Sequence, residues 1–251
     1  MDAFAGYTVV GFDTETTGLD PRRDRIVQYA FVGADVSGEK ILITSIVDPG
    51  VSIPEASTNV HGISNSDVEG SLMFNEHTRN ISELVEDSVI IGHNVRKFDW
   101  RFVEMEYMRC GEIVPRPAYL LDTLELARAL KISGRHTLGA LCKKYGIILE
   151  RAHSADADAA ATLILMWKMI KHNPGLIEGG IDSLAKLCGG VSQRIGSVKK
   201  GEGQVITFGK YSGSTFASII SSDPKYAFWL MSNSSPLSDE DRAILEKIVL
   251  D

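Results

Sequence analysis

What this chain has little of narrows the reading first. Across its 251 residues no apolar run approaches the ~20 residues needed to cross a bilayer, and the start, MDAFAGYTVVG, lacks the basic-then-apolar pattern of a signal peptide. A protein without membrane attachment, working in the cytoplasm, is the expectation. Cysteine is scarce. Cys110, Cys142 and Cys188 are odd in number, far apart and set in apolar helical pattern, which argues against a disulfide framework or a zinc site and for core thiols. Positive charge is scarce as well: 26 Lys and Arg against 33 Asp and Glu leave a formal charge of −7. That balance argues against a protein that coats nucleic acid through clustered basic side chains. It leaves a nuclease open, because metal-binding acids add negative charge that bound cations offset.

What is present is ordinary for a globular chain, 44% apolar and 24% charged, with room for one large domain or one domain and a small appendix. Tyr7 to Asp13, Arg25 to Asp35 and Glu39 to Val47 are rich in β-branched and aromatic residues, with turn signals at Gly18 to Asp24 and Ser37-Gly38; three strands in an antiparallel meander are expected. Helical pattern then alternates with short apolar runs. Helices are expected at Asn75 to Glu86, Lys97 to Arg109, Thr123 to Leu130, Thr137 to Tyr145 and Ala155 to His172, and strands at Val89 to Ile91 and Tyr119 to Leu121. The sum is an α/β architecture, a mixed sheet of about five strands flanked by helices. Gly189 to Gly203, rich in glycine and basic residues, reads as a linker. It divides a domain of residues 1–188 from a small α+β module of residues 204–251, with a strand at Gln204 to Phe208, a turn at Gly209 to Gly213 and helices at Thr215 to Ser221, Pro224 to Met231 and Ser238 to Val249.

Chemistry concentrates in Tyr7 to Gly18, YTVVGFDTETTG, which puts Asp13 and Glu15 where the first strand is expected to end. Residues two apart on a strand project to one side, roughly 6.5–7 Å apart. Two carboxylates held there repel and lose water unless a cation joins them, and an oxygen-rich acidic cluster is what Mg²⁺ or Mn²⁺ prefers. Read alone, D-x-E is also a strand running into a polar turn. Asp99, in GHNVRKFDW after a short strand, falls where open α/β sheets place ligands, and read alone is a first-turn acid that suits the helix dipole. In HSADAD, Asp158 shares a helix face with Ala155, Ala161, Thr162 and Leu165, a small-residue face that would let the helix approach a sheet closely. An acid on that face calls for a cation. Asp156 fits the first turn behind a Ser154 cap. His153 is either a loop histidine or, with an ordinary pKa near 6.5, a proton acceptor.

Together FDTETTG, GHNVRKFD and HSADADA, the last fitting H-x-A-x-x-D, resemble the DEDDh branch of the DnaQ-like 3′-to-5′ exonucleases, and VHGIS and LDTLELAR are similar to the sequence between the family's motifs. The resemblance covers about Tyr7 to His172. It implies a ribonuclease H-like fold, with Asp13, Glu15, Asp99 and Asp158 holding two Mg²⁺ or Mn²⁺ ions and His153 as general base. It also implies that Thr16, Leu19, His61, Asn94 and Phe98 contact the terminal nucleotide. Gln28 departs from the family, many of whose members carry an acid there, and Leu72-Met73 lacks a frequent proline. The tail from Phe208 to Met231 resembles the C-terminal module of exodeoxyribonuclease X-like proteins, where Lys210, Tyr211 and Trp229 would meet a phosphate and bases, although Trp229 also fits a small core. The implied activity is removal of nucleoside monophosphates from DNA 3′ ends, with an exoribonuclease or a polymerase proofreading subunit as the alternatives.

Overall fold

The computed structural model describes residues 4–86, 88–149, 153–189, 211, 214–231, 242 and 245. The chain divides into two compact units, one of Met1–Cys110 and Pro117–Gln193, the other of Gly111–Arg116 and Arg194–Asp251. Among the described residues no helix is long and apolar enough to cross a membrane.

In the first unit three strands, β1 (Val9–Thr16), β2 (Ile26–Ala34) and β3 (Lys40–Ile46), form the expected antiparallel meander. Helices α1 (Glu55–His61), α2 (Asn65–Val68) and α3 (Thr78–Val85) follow, then β4 (Val89–Gly92), α4 (Asp99–Cys110) and β5 (Tyr119–Asp122). The unit closes with α5 (Thr123–Ala129), α6 (Leu138–Lys144), α7 (Ala155–His172) and α8 (Gly180–Leu187). The sheet order is β3-β2-β1-β4-β5, with β4 and β5 parallel to β1, so β1 lies at the centre with both faces covered.

Strand alternation sorts the two faces. Gly11, Asp13 and Glu15 of β1 look toward α7, together with Ala30 and Gln28, their neighbours on β2. Phe12 looks the other way, stacking on Phe31 with ring centres 4.6 Å apart and meeting Trp100 of α4 edge-on at 6.0 Å. α7 lies so near the sheet that a β-carbon at position 11 would fall 2.1 Å from the carbonyl oxygen of Ala159, hence the glycine. Ala30, Ala155 and Ala159 form a cluster of small side chains at the same contact. The close approach expected of the alanine-rich face is therefore realised, and it brings Asp158 down to the level of β1.

Several expectations are corrected. β1 does not end at Asp13: it runs to Thr16, with Glu15 paired to Gln28 and a bulge between Glu15 and Thr16, so both acids lie inside the strand. The helix expected over Asn75 to Glu86 is broken at His77, whose Nδ1 is 3.0 Å from the Tyr29 hydroxyl; a 3₁₀ turn (Phe74–Glu76) precedes α3. α4 begins at Asp99, two residues later than expected, because residues 94–98 form a tight turn in which Lys97 N–H and Phe98 N–H both donate to Asn94 O. Ser154 occupies the N-cap position of α7 but makes no side-chain cap bond. Cys142 and Cys188 are buried free thiols, as expected, whereas Cys110 is half-buried.

In the second unit, α9 (Phe216–Ser222) is capped by Thr215, whose hydroxyl accepts the N–H of Ser218, and α10 (Pro224–Met231) follows. Phe216, Ile219, Tyr226, Ala227, Leu230 and Leu245 make its core. Trp229 packs on that core with its ring 5.0 Å from Tyr226, which favours the core reading of this residue over a stacking surface. The linker beyond Gly189, the strand expected at Gln204 to Phe208, the basic residues Arg194, Lys199, Lys200 and Lys210, and all but Arg242 and Leu245 of the last helix lie outside the described residues.

Candidate active site

The site is built where α7 crosses β1. Oxygen atoms of Asp13, Glu15 and Asp158 all lie within 4.8 Å of one another. Asp158 is 9% exposed; its Oδ2 accepts the N–H of His153 at 3.1 Å, while its Oδ1 is buried without a hydrogen-bond partner. A buried carboxylate oxygen in that state costs on the order of 1–3 kcal/mol or more. Burial, then the carboxylates of Asp99, Glu15 and Asp158, hold Asp13 well above the usual carboxylate range. Glu15 is pushed up to about 7 by burial and by Asp158 and Asp99, and burial raises Asp158. Three hard oxygen donors, one of them orphaned, fit a divalent cation, which supplies the charge that the chain does not.

Asp99 reaches the site from the opposite layer. It opens α4 on the Phe12 side of the sheet, is 3% exposed, and is not part of the three-carboxylate cluster. Its Oδ1 accepts two bonds from Thr14, from the hydroxyl at 2.7 Å and from the backbone N–H at 3.1 Å. Burial pushes Asp99 up to about 7 against the lowering effect of those bonds. Thr14 is the one residue between Asp13 and Glu15, and by alternation it points away from them and toward Asp99. Sequence reasoning passed over it.

One cavity of about 580 Å³ is lined by all ten residues named from the sequence: Asp13, Glu15, Asp99, His153 and Asp158, and Thr16, Leu19, His61, Asn94 and Phe98. Leu19 is 83% exposed at its rim. His153 is exposed and adopts φ 65°, and Asn94 adopts φ 62°, left-handed conformations that residues with a β-carbon rarely take. Asn94 is held by Asp122, whose Oδ1 accepts its N–H at 2.9 Å and caps α5 through Leu124 N–H at 2.9 Å. The Asp of LDTLELAR thus has a supporting role that its motif alone did not reveal. His61 accepts the Ile63 N–H through Nδ1 at 3.1 Å, which leaves its proton on Nε2. The Thr16 hydroxyl is committed to Gly18 O at 2.6 Å.

The sequence pattern of the RNase T exonuclease family matches residues 10–166, more than half of the chain. The chain belongs to that family. Among similar sequences, a PolC-type DNA polymerase III of Streptococcus suis is 35% identical over 166 residues, covering 65% of this chain and 11% of that protein. The corresponding polymerase of Listeria innocua is 36% identical over 172 residues, covering 67% and 12%. The chain therefore spans about a ninth of the length of those relatives. Among solved structures, E. coli exonuclease I in complex with a dT13 oligonucleotide matches with a TM-score of 0.56 at 24% identity, covering 68% of this chain and 42% of that one. Exonuclease I from Methylocaldum szegediense matches at 0.58 and 26%, with the same coverage. The five-stranded mixed sheet with flanking helices is the ribonuclease H-like fold of those neighbours.

Proposed function

We propose that this RNase T-family chain is a metal-dependent 3′-to-5′ exonuclease that releases nucleoside 5′-monophosphates from DNA 3′ ends. The observation that carries the reading is the cluster of Asp13, Glu15 and Asp158, with an orphaned Asp158 oxygen, in one cavity with His153. In this reading Asp13, Glu15, Asp99 and Asp158 would together hold two Mg²⁺ or Mn²⁺ ions. When bound, such ions supply Lewis acidity that favours hydroxide over water and offsets charge on the phosphodiester. His153 takes the proton of a water placed beside the carboxylates, and the oxygen attacks phosphorus in line with the departing 3′ oxygen. Leu19, His61, Asn94 and Phe98 line the space for the terminal nucleotide, with Leu19 and Phe98 as apolar walls. The cavity is bounded on the His61 side by α1, tied down where Ser57 Oγ donates to Thr17 O at 2.7 Å.

DNA is favoured over RNA by the relatives, which are DNA polymerases by name, and by the oligodeoxynucleotide bound to a structural neighbour. The likeness to PolC-type polymerases also supports a second reading, a proofreading exonuclease that works beside a polymerase. Residues 1–188 would be the exonuclease domain, acting in the cytoplasm, residues 189–203 a linker, and residues 204–251 a module that grips the strand upstream. The test is digestion of matched single-stranded DNA, duplex DNA and RNA, each labelled at either end, with Mg²⁺ and with Mn²⁺. Mononucleotides released first from the 3′ end of DNA are expected; 5′-first release or internal cuts would overturn the reading, and a mispaired 3′ end cleaved faster than a paired one would favour proofreading.

A further inference from the structure

Gln28 faces α7 from the sheet and does not line the cavity. It stands opposite Glu15 in the β1–β2 pairing, and directly opposed residues of an antiparallel pair share a face with Cβ atoms about 4.5–5.5 Å apart. Its Oε1 accepts the N–H of Ala155, the first residue of α7, at 3.2 Å. A helix leaves its first N–H groups without intrahelical partners, and an N-cap hydroxyl commonly satisfies one of them. Here Ser154 makes no such bond and turns its Oγ to Asp156 instead. The sheet supplies an acceptor in its place.

Two residues before Ala155, His153 holds the left-handed φ of 65°, which persists only where the surroundings fix it. Two bonds bracket it: its own N–H reaches Asp158 Oδ2, and Gln28 holds Ala155. The His153 side chain is exposed, so ring packing adds little to its placement. We infer that Gln28 is a positioning residue, a neutral clamp that fixes the chain's entry into α7 and thereby the direction in which His153 meets the carboxylates. A carboxylate here, as many members of the family carry, could accept the same bond but would set another negative charge opposite Glu15, beside Asp13 and Asp158. The inference rests on the reading of His153 as the proton acceptor, and its test separates the two.

The test uses Gln28→Met, which keeps length and loses the acceptor, and Gln28→Glu, which keeps the acceptor and adds charge, both in the full chain. Gln28→Met is expected to lower kcat roughly 10- to 100-fold with KM within about twofold, and Gln28→Glu to recover most of kcat at saturating Mg²⁺. In the metal-free protein the His153 imidazole resonance, assigned by its loss in His153→Asn, should broaden in Gln28→Met and sharpen again in Gln28→Glu. An unchanged kcat and resonance in Gln28→Met would overturn the clamp. So would a Gln28→Glu variant that stays as impaired as Gln28→Met at saturating Mg²⁺, where cations offset its charge, since an acceptor at this position would then not restore the site. A resonance that broadens as expected, in a protein whose activity His153→Asn leaves intact, would keep the clamp and remove His153 from the role of base.

Discussion

Glu106, Glu15 and Asp158 are buried to similar depth, 1%, 8% and 9% exposed, and the chain answers their charges in opposite ways. Around Glu106 it provides cations. Arg25 donates through Nε and Nη2 to the two carboxylate oxygens at 2.8 and 2.9 Å, the Ile26 N–H adds a third bond at 3.2 Å, and Arg109 lies 3.2 Å away. A guanidinium fork matched to a carboxylate is the geometry in which a buried ion pair meets its desolvation cost. Around Glu15 the charges that act are those of Asp158 and Asp99, and Asp13 feels all three of its neighbours. Depth of burial therefore does not separate the structural acid from the site. The sign of the neighbours does: Glu106 is completed inside the chain, whereas the cluster over β1 is completed from solution.

The largest effects should come from removing one acid of each kind. Asp13→Asn should cut cleavage on the order of 10⁴-fold, several kcal/mol of barrier, because this residue borders every other acid of the site. The same change should raise the melting temperature of the metal-free protein, by about 2–4 °C for each kcal/mol of repulsion relieved. Glu106→Ala should do the reverse, lowering stability by about 3 kcal/mol. That is the lower end of the usual range, because Arg25 and Arg109 keep 20% and 23% of their side chains exposed and can rehydrate. Melts in EDTA and turnover in Mg²⁺ check both arms. If Asp13→Asn destabilises the metal-free fold, the contrast between the two clusters fails.

His153→Ala should lower kcat about 10²- to 10⁴-fold, the range of a general base, with the metal-induced rise in melting temperature retained. Loss of that rise would make His153 part of the cation site instead.

A smaller and more diagnostic effect lies in pH. Glu15 and Asp99 titrate near 7 in the fold and in the ordinary carboxylate range when unfolded. Between those limits the folded, metal-free protein binds more protons than the unfolded chain, so its stability falls as pH rises from about 4.5 to 7. Below that window the cluster's penalty is absent; above it, the penalty is complete. Melting temperature in EDTA should therefore decline across the window. Mg²⁺ should flatten the decline by holding the acids ionised. A rise in EDTA across the same window would contradict the repulsive cluster.

How much of this was legible beforehand depended on whether the cause was local. β1 and α7 were, since alternation put Asp13 and Glu15 on one side and small residues at positions 155, 161 and 162 marked the face that approaches the sheet; α7 spans Ala155–His172 as expected. α1 was not, because it buries no residue and so shows no apolar period, and α2 has only four residues. The break at His77 depends on Tyr29, 48 positions away, and no local propensity reports such a contact. All ten proposed site residues meet in one cavity, yet the side chains that hold them, Thr14, Gln28 and Asp122, were missed or seen only as departures. Thr14 and Gln28 find their partners in the helices over the sheet, and Asp122 reaches Asn94, 28 positions away, so no local pattern reports these bonds.

Thr14 offers the finest distinction between the two kinds of buried acid. Asp99 receives two bonds from the chain, from the Thr14 hydroxyl and N–H on a single oxygen, where Asp158 receives the His153 N–H alone. It stands between fully paired Glu106 and the cluster over β1. Thr14→Val removes the hydroxyl and keeps the N–H, leaving Asp99 with one donor and more freedom to turn. A hydrogen bond to a charged group contributes about 1.5–3 kcal/mol, and the surviving N–H bond limits the loss to about 1 kcal/mol of stability and about tenfold in kcat. Since the Thr14 bonds lower the Asp99 pKa, their weakening should also move the activity profile to higher pH. Thr14→Ser keeps the hydroxyl and should restore both. If the valine variant matches the parent in kcat and pH profile, α4 alone positions Asp99; if serine fails to rescue, the threonine methyl group, packed on that face of the sheet, is what matters.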